Sequence, residues 1–356
     1  MSIYAKKLEF IELRLTSGGT IQPLTSSVQN AQLKIERRAE RLEKIVFHVR
    51  CDLAGITATA ARDRIEGFFR DVRLKLNDAA GNDRLAIKAN SSTLINRHRF
   101  LMGDLDRYTK RYYGTNAAAT GIEFFVPIYF RHPLLSETVG HRTSLALDSR
   151  FQGSDPILEV DIAALADVGL SAGTFSNITV RAAMHYRIVD PSVAYIPTQF
   201  TSNEIWGTGF SGEQSWTFPE DGHLAGFMLE EFTSATARGA ALSTSGTFGE
   251  YQFLYNNTER QSWYTKQMEA DNECWVTNAP DAGSPPAYNP TFITDIDFLH
   301  DTEQGEALSP GSTYDMYVSN AGQRARLYTN NLVANASVKV STYKFLTTNL
   351  QALVGA

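Results

Sequence analysis

The residues from 45 to 53 narrow the possible folds more than any other feature of this 356-residue chain. Ile45, Phe47, Val49, Cys51 and Leu53 alternate with Val46, His48, Arg50 and Asp52. Successive side chains leave an extended strand on opposite sides, so a period of two is the mark of a strand with one buried face. Only Val46 breaks the alternation. The pattern recurs downstream: Val72, Leu74 and Leu76 alternate with Arg73, Lys75 and Asn77, and the turn from Asn77 to Asp83 returns through Leu85 and Ile87, which predicts a hairpin. GIEFFVPIYFRHP, RTSLALDS and DPILEVDIAAL read as three further strands. Pro127 assigns the first of these to a sheet edge or a bulge, because proline donates no ladder hydrogen bond.

A small-residue stretch, AALADVGLSAGT, interrupts the series near 163 to 174, and a second series follows. Ile178, Val180, Ala182, Met184, Tyr186 and Ile188 form a long alternating run stopped at Asp190-Pro191. EQSWTF, GEYQFLYNN, PTFITDIDFL, STYDMYVSN and ASVKVSTYKFL supply later strands, and the Pro-rich NAPDAGSPPAYNP at 278–290 is expected to be a surface loop. Two successive stretches of about eight strands match one jelly roll or sandwich apiece. The expected fold class is therefore all-β: two consecutive eight-stranded jelly rolls with short helical insertions, one over 1–165 and one over 166–356.

The exception to the strand pattern is STLINRHRFLMGDLDRYTKRYYG, residues 92–114. Leu94, His98, Leu101, Leu105, Tyr108 and Tyr112 fall at alternating steps of four and three, on one helix face, with Arg97, Arg99, Arg107, Lys110 and Arg111 between them. A basic amphipathic helix can read nucleic acid or lie on a membrane surface. One apolar face is equally what any surface helix needs. Flanked by a hairpin and IEFFVPIYF, the helix is expected to pack Leu94, Leu101, Leu105, Tyr108 and Tyr112 on the first barrel, with its arginines outward.

Composition excludes several classes. With 43% hydrophobic and 20% charged residues the chain is an ordinary folded protein, and no apolar run approaches the roughly 20 residues that span a bilayer. The opening MSIYAKKLEFIELRL lacks the continuous apolar segment of a secretory signal, so export by that route is not expected. Cys51 and Cys274 cannot alone build a metal knuckle or a disulfide framework and are expected to be buried thiols. Charge is uneven: residues 1–111 hold 21 basic and 13 acidic side chains, a net of +8, and 112–356 hold 12 and 26, a net of −14. Such a split suits complementary contacts within or between subunits, an end facing an anionic surface, or simply two differently solvated faces.

Catalytic motifs are missing from the sequence. There is no GxSxG, HExxH, GxxxxGK[ST] or GxGxxG after a strand, and the seven histidines (48, 98, 132, 141, 185, 223, 300) show no ligand-like pairing. No catalytic residue is assigned, the chain is not expected to be an enzyme, and no cofactor is implied. Asp295 and Asp297 share a strand face, with Asp301 and Glu303 just beyond, and these carboxylates are weak candidates for a structural Ca²⁺. Their spacing matches no EF-hand loop, and a solvated acidic turn accounts for them as well. The same carboxylates beside Trp206, Trp216 and Trp263 would suit an all-β carbohydrate-binding protein or glycoside hydrolase, the alternative function. Asn90, Asn177, Asn256 and Asn335 head NxS/T tripeptides, a pattern that arises often by chance.

The order of elements carries a resemblance. AQLKI, RLEKIVFHVRCDL, FFRDVRLKLNDAAGNDRL, the helix with NRHRF, IEFFVPIYF and PILEVDIAAL resemble the N-terminal jelly roll of the major capsid proteins of corticoviruses, icosahedral phages with an internal membrane related to tectiviruses and finnlakeviruses. EYQFLYNNTERQSWY, TFITDIDFLHD, STYDMYVSN and ANASVKVSTYKFL resemble the C-terminal jelly roll of that family. To this pattern the chain adds 197–232 and the Pro-rich loop as extra length. The resemblance implies a double jelly roll, a homotrimer with pseudo-sixfold outline, and a hexagonal lattice around a lipid vesicle. The partners implied are other copies of the chain, minor capsid and penton proteins and the internal viral membrane, with no sequence-specific nucleic-acid binding. The implied location is the virion shell, and a minor capsid role as penton or spike is a further alternative.

Overall fold

The computed structural model describes residues 6–55, 67–77, 83–102, 121–130, 146–168, 173–189, 195, 197–205, 212–219, 222–232, 248–256, 258–264, 293–297, 317–318, 324–331 and 337–346. The chain divides into two compact units between Thr198 and Gln199. In the first unit, β1 (Lys6–Glu12), β2 (Arg14–Leu15), β3 (Gln29–Lys34), β4 (Arg41–Ala54), β5 (Phe69–Asn77), β6 (Asp83–Ala89), β7 (Gly121–Tyr129), β8 (Ile157–Ile162) and β9 (Thr174–Arg187) form two antiparallel layers. One runs β1-β9-β4-β7 and the other β6-β5-β8-β3-β2, so spatial neighbours come from distant parts of the chain, as in Greek-key connections.

The alternation in β4 places Ile45, Phe47, Val49, Cys51 and Leu53 inside. Phe47 meets Phe69 edge-on at 5.3 Å, and Phe68 meets Phe124 at 5.6 Å, so the inner faces of the two layers interdigitate as in a sandwich. The expected hairpin is present, with Asn77 opposite Asp83. Pro127 lies on β7, which among the described residues pairs only with β4 and forms the edge of its sheet. The missing N–H therefore interrupts no ladder.

The helix α1 covers Ser91–Met102. Asn90 caps it, its Oδ1 accepting the Thr93 N–H at 2.8 Å, and the Ser91 hydroxyl accepts the Phe69 N–H at 3.0 Å, tying the first turn to β5. Leu94 and His98 are buried as expected, but so are Ser91, Thr93, Ile95 and Asn96, and Arg97 is half-buried. The described part of this helix is enclosed by protein on more than one face, which corrects the expectation of a single apolar stripe; of the arginines expected outward, only Arg97 has a described side chain. His98 stacks on Tyr129 of β7 at 5.4 Å. Leu105, Tyr108, Tyr112, Arg107, Lys110 and Arg111 lie outside the described residues.

The second unit contains β10 (Thr198–Ile205), β11 (Gly212–Thr217), β12 (His223–Phe232), β13 (Phe248–Tyr255), β14 (Thr258–Tyr264), β15 (Ile293–Asp297), β16 (Tyr317–Val318), β17 (Ala325–Asn331) and β18 (Ser337–Phe345). Its layers run β15-β12-β18-β10, with β16 also pairing with β12, and β11-β17-β13-β14. Phe218, Phe227, Tyr251, Phe253, Leu327 and Val340 fill the space between them.

Three expectations are corrected. The division falls after Thr198 and not near 165, because β9 pairs with both β1 and β4 and so completes the first unit. The small residues read as a boundary begin with a one-turn 3-10 helix, Leu165–Val168, pinned where Asp167 Oδ2 accepts the Ala164 N–H. RTSLALDS forms no strand among its described residues: Leu147 makes a single bridge to Leu42, and Asp148 caps a short 3-10 turn. Residues 197–232 are no added decoration either, since they supply β10, β11 and the central strand β12.

Candidate functional site

Asp295 and Asp297 lie on β15, opposite Met228 and Gly226 of β12, while Asp301 and Glu303 fall outside the described residues. Among the described residues no three His, Cys, Asp or Glu side chains cluster as metal ligands. Trp216 packs half-buried against the second core, 4.6 Å from Phe218. Trp263 stands on β14 opposite Tyr251, and Trp206 lies outside the described residues. Cys51 is fully buried, and burial, reinforced by Asp52, pushes its thiol up to about 12. Cys274 lies outside the described residues.

The buried charges serve as latches. Arg41 Nε donates to Asp148 Oδ2 at 2.9 Å, with both side chains excluded from water, and Arg150 reaches the same carboxylate at 2.6 and 2.9 Å. Burial alone would raise the Asp148 pKa; the hydrogen bonds from Arg150 and Arg41 outweigh it and hold the carboxyl below the usual range. Lys339 and Glu230, cross-strand partners on β18 and β12, pair at 2.9 Å in full burial. Tyr251 donates to Glu231 at 2.8 Å. Across β5 and β8, Arg73 holds Asp161 bidentately at 2.7 and 2.9 Å and Glu159 at 3.2 Å.

The outer face of the β1-β9-β4-β7 sheet is different in kind. Register fixes its rows: Leu8, His185, Lys44 and Tyr129; then Phe10, Ala183, Val46 and Pro127; then Glu12, Arg181, His48 and Phe125. Two hollows open side by side here, sharing His48 and Arg181. One, of about 200 Å³, is walled by Phe10, Val46, Phe125 and Ala183; the other, of about 320 Å³, by Arg50, Asp52, Asn177 and Thr179. His48 stacks on Phe125 at 4.7 Å and faces Glu123 at 3.5 Å, and Arg50 pairs with Glu123 at 3.4 Å. Asn177, held at φ 48°, donates to Asp52 at 2.7 Å. This face was not singled out from the sequence, although Val46 marked it: the one apolar residue out of phase between Ile45 and Leu53 lines the outer apolar hollow.

No protein-family model matches this sequence, and no curated protein sequence matches it. Solved structures do. The STIV MCP is 10% identical, covering 98% of this chain and 99% of its own, with a TM-score of 0.63. The PBCV-1 virus capsid is 12% identical, covering 97% and 94%, with a TM-score of 0.55. The major capsid protein P2 from bacteriophage PM2 is 14% identical, covering 96% and 99%, with a TM-score of 0.51. The likeness is one of fold, and it extends through both units: the chain is a double jelly roll.

Proposed function

We propose that this chain is the major capsid protein of an icosahedral phage with an internal lipid membrane, assembling as trimers and performing no catalysis. The observation that carries this reading is the length of the likeness: coat proteins of several viruses match over 96 to 98% of this chain and 94 to 99% of theirs, through both units. Two comparable sandwiches per chain give a trimer six similar units, and one gene product can then tile a hexagonal lattice. Pro127 on the edge strand β7 and the two-residue β2 at the end of the other layer limit strand-to-strand aggregation at the concentration a shell demands. The corticovirus-like order of elements supports the internal membrane, and minor capsid and penton proteins follow as partners at the lattice vertices.

Native mass spectrometry of the purified full chain tests this reading. A species at three times the 39.5 kDa chain mass is expected. A chain that stays single at every concentration overturns it.

A further inference from the structure

We propose that the outer face of the β1-β9-β4-β7 sheet carries a binding site for a neutral oligosaccharide, polar at the Asp52 and Asn177 end and apolar at the Phe10 end. The inference goes beyond the shell-forming role and does not depend on it.

An irregularity in the ladder builds the polar end. Arg50 pairs with Thr179 but Asp52 with Ser176, so Asn177 and Ile178 of β9 together oppose Cys51 of β4. A bulge of this kind re-aims side chains and is over-represented beside functional sites. Ile178 turns into the core, while Asn177, at φ 48°, stays exposed and donates to Asp52 Oδ2. Asp52 Oδ1 makes no hydrogen bond among the described residues, and Gly121 opposite adds no side chain over it: a Cβ there would stand 3.4 Å from Oδ1. Arg181 is exposed and makes no ion pair among the described residues; Glu12, across the ladder from it, faces Arg14 at 3.9 Å. His48 Nε2, on the wall shared by the two hollows, is shielded from water without a hydrogen-bond partner among the described residues. The Glu123 carboxylate stands 3.5 Å away, too far for a good bond.

These groups select the ligand. Charge on the face balances, Arg50 and Arg181 against Asp52 and Glu123, so an anion would meet Asp52 and a cation would meet Arg181. What stays unsatisfied is hydrogen bonding of both kinds, an acceptor on Asp52 and donors on Arg181, with the shielded His48 nitrogen between them. A hydroxyl donates and accepts at once, so a neutral polyol meets the mixture without stranding a charge. The adjoining hollow is apolar, and Phe10 on its wall is 69% exposed. Sugars suit such a junction, because each ring has hydroxyls at its rim and C–H groups on its faces. The hollows, of about 320 and 200 Å³, are of small-ligand size. Val46 and Asp52 mark the two ends, and β4 rises about 20 Å between them at about 3.4 Å per residue, which suits a short chain of sugars over a single ring.

The test screens the purified full chain on an array of immobilised neutral and acidic oligosaccharides and measures the strongest neutral binder by saturation-transfer NMR. Binding of at least one neutral oligosaccharide is expected, weakened tenfold or more in Asn177→Gly and in Arg181→Ala, each with unchanged far-UV circular dichroism. Glycine keeps the left-handed backbone of residue 177 and removes only the amide. Ile157→Ala, at an exposed apolar position on the other layer, should bind like the parent. A chain that holds no neutral oligosaccharide, one that prefers acidic ones, or either site variant binding like the parent overturns the proposal, as does an equal loss in Ile157→Ala. Trimers that bind no sugar because their own copies cover this face overturn it too, and leave the shell-forming role standing.

Discussion

At the residue scale, Asp148 does the work of a small core. It satisfies Arg41 inside the first unit and Arg150 at its rim while capping a 3-10 turn. Replacing it by asparagine leaves the Arg41 guanidinium buried without its counter-charge, and a loss of about 3–5 kcal/mol is expected, read by calorimetry. Because the folded carboxyl titrates below the unfolded value of about 3.9, the unfolded state takes up more protons in that window. The contribution is therefore complete above about pH 4 and fades as the pH falls further, so the melting temperatures of the parent and Asp148→Asn should converge on acidification. A gap that stays constant down to acid pH would show that the carboxylate charge is not what stabilises the turn. Asparagines in chance glycosylation tripeptides prove to be backbone devices: Asn256 adopts φ 53° and accepts the Arg324 N–H at 2.9 Å, as Asn90 and Asn177 take up the roles described above. Nothing in an NxS/T pattern distinguishes such turn chemistry from chance, because the hydrogen bond depends on a partner 68 residues away.

At the scale of elements, legibility follows burial. β4, the β5–β6 hairpin and β7 each bury one face, so a period of two, a turn or a lone proline reveals them. β12, HLAGFMLEEF, is buried at all ten positions and has no period to read; its glutamates are tolerated because Lys339 and Tyr251 meet them. The sequence of α1 showed a helix but not its surroundings, since Thr93 and Asn96 are polar and buried all the same. Two tests belong here. Asn90→Ala removes the cap of α1 and should cost about 1 kcal/mol in denaturant unfolding, with Asn90→Ser restoring most of it. Gly222, at φ +99° just before β12, has no room for a side chain: a Cβ would land on the Phe345 carbonyl of the neighbouring strand. Gly222→Ala should destabilise the second unit by about 1–3 kcal/mol, and an alanine variant that melts with the parent would mean that strand end relaxes freely.

At the scale of the whole molecule, the two strand series announced two sandwiches, yet the place where one ends was misread. A run of small residues marks a turn as readily as a linker, and only the pairing of β9 back onto β1 and β4 decides between them. The charge asymmetry is visible in the sequence and persists, somewhat reduced, at the structural boundary, with +5 through Thr198 and −11 after it. If opposite charges join neighbouring copies, raising ionic strength from about 0.05 to about 0.5 M shortens the screening length severalfold and should weaken the trimer. Light scattering that shows no dissociation across that range would place the binding energy in apolar contact alone. The candidate metal and sugar sites illustrate the converse lesson. Shared strand faces and nearby tryptophans cost nothing to find in a sequence, but Trp216 is drawn into the core by Phe218, and neighbours of that kind come from the fold. The central claim, that the double jelly roll exists to build a shell, is tested most directly by negative-stain electron microscopy of the purified full-length chain. Three-chain particles with a pseudo-hexagonal outline are expected, and fields of isolated single chains at every concentration would contradict it.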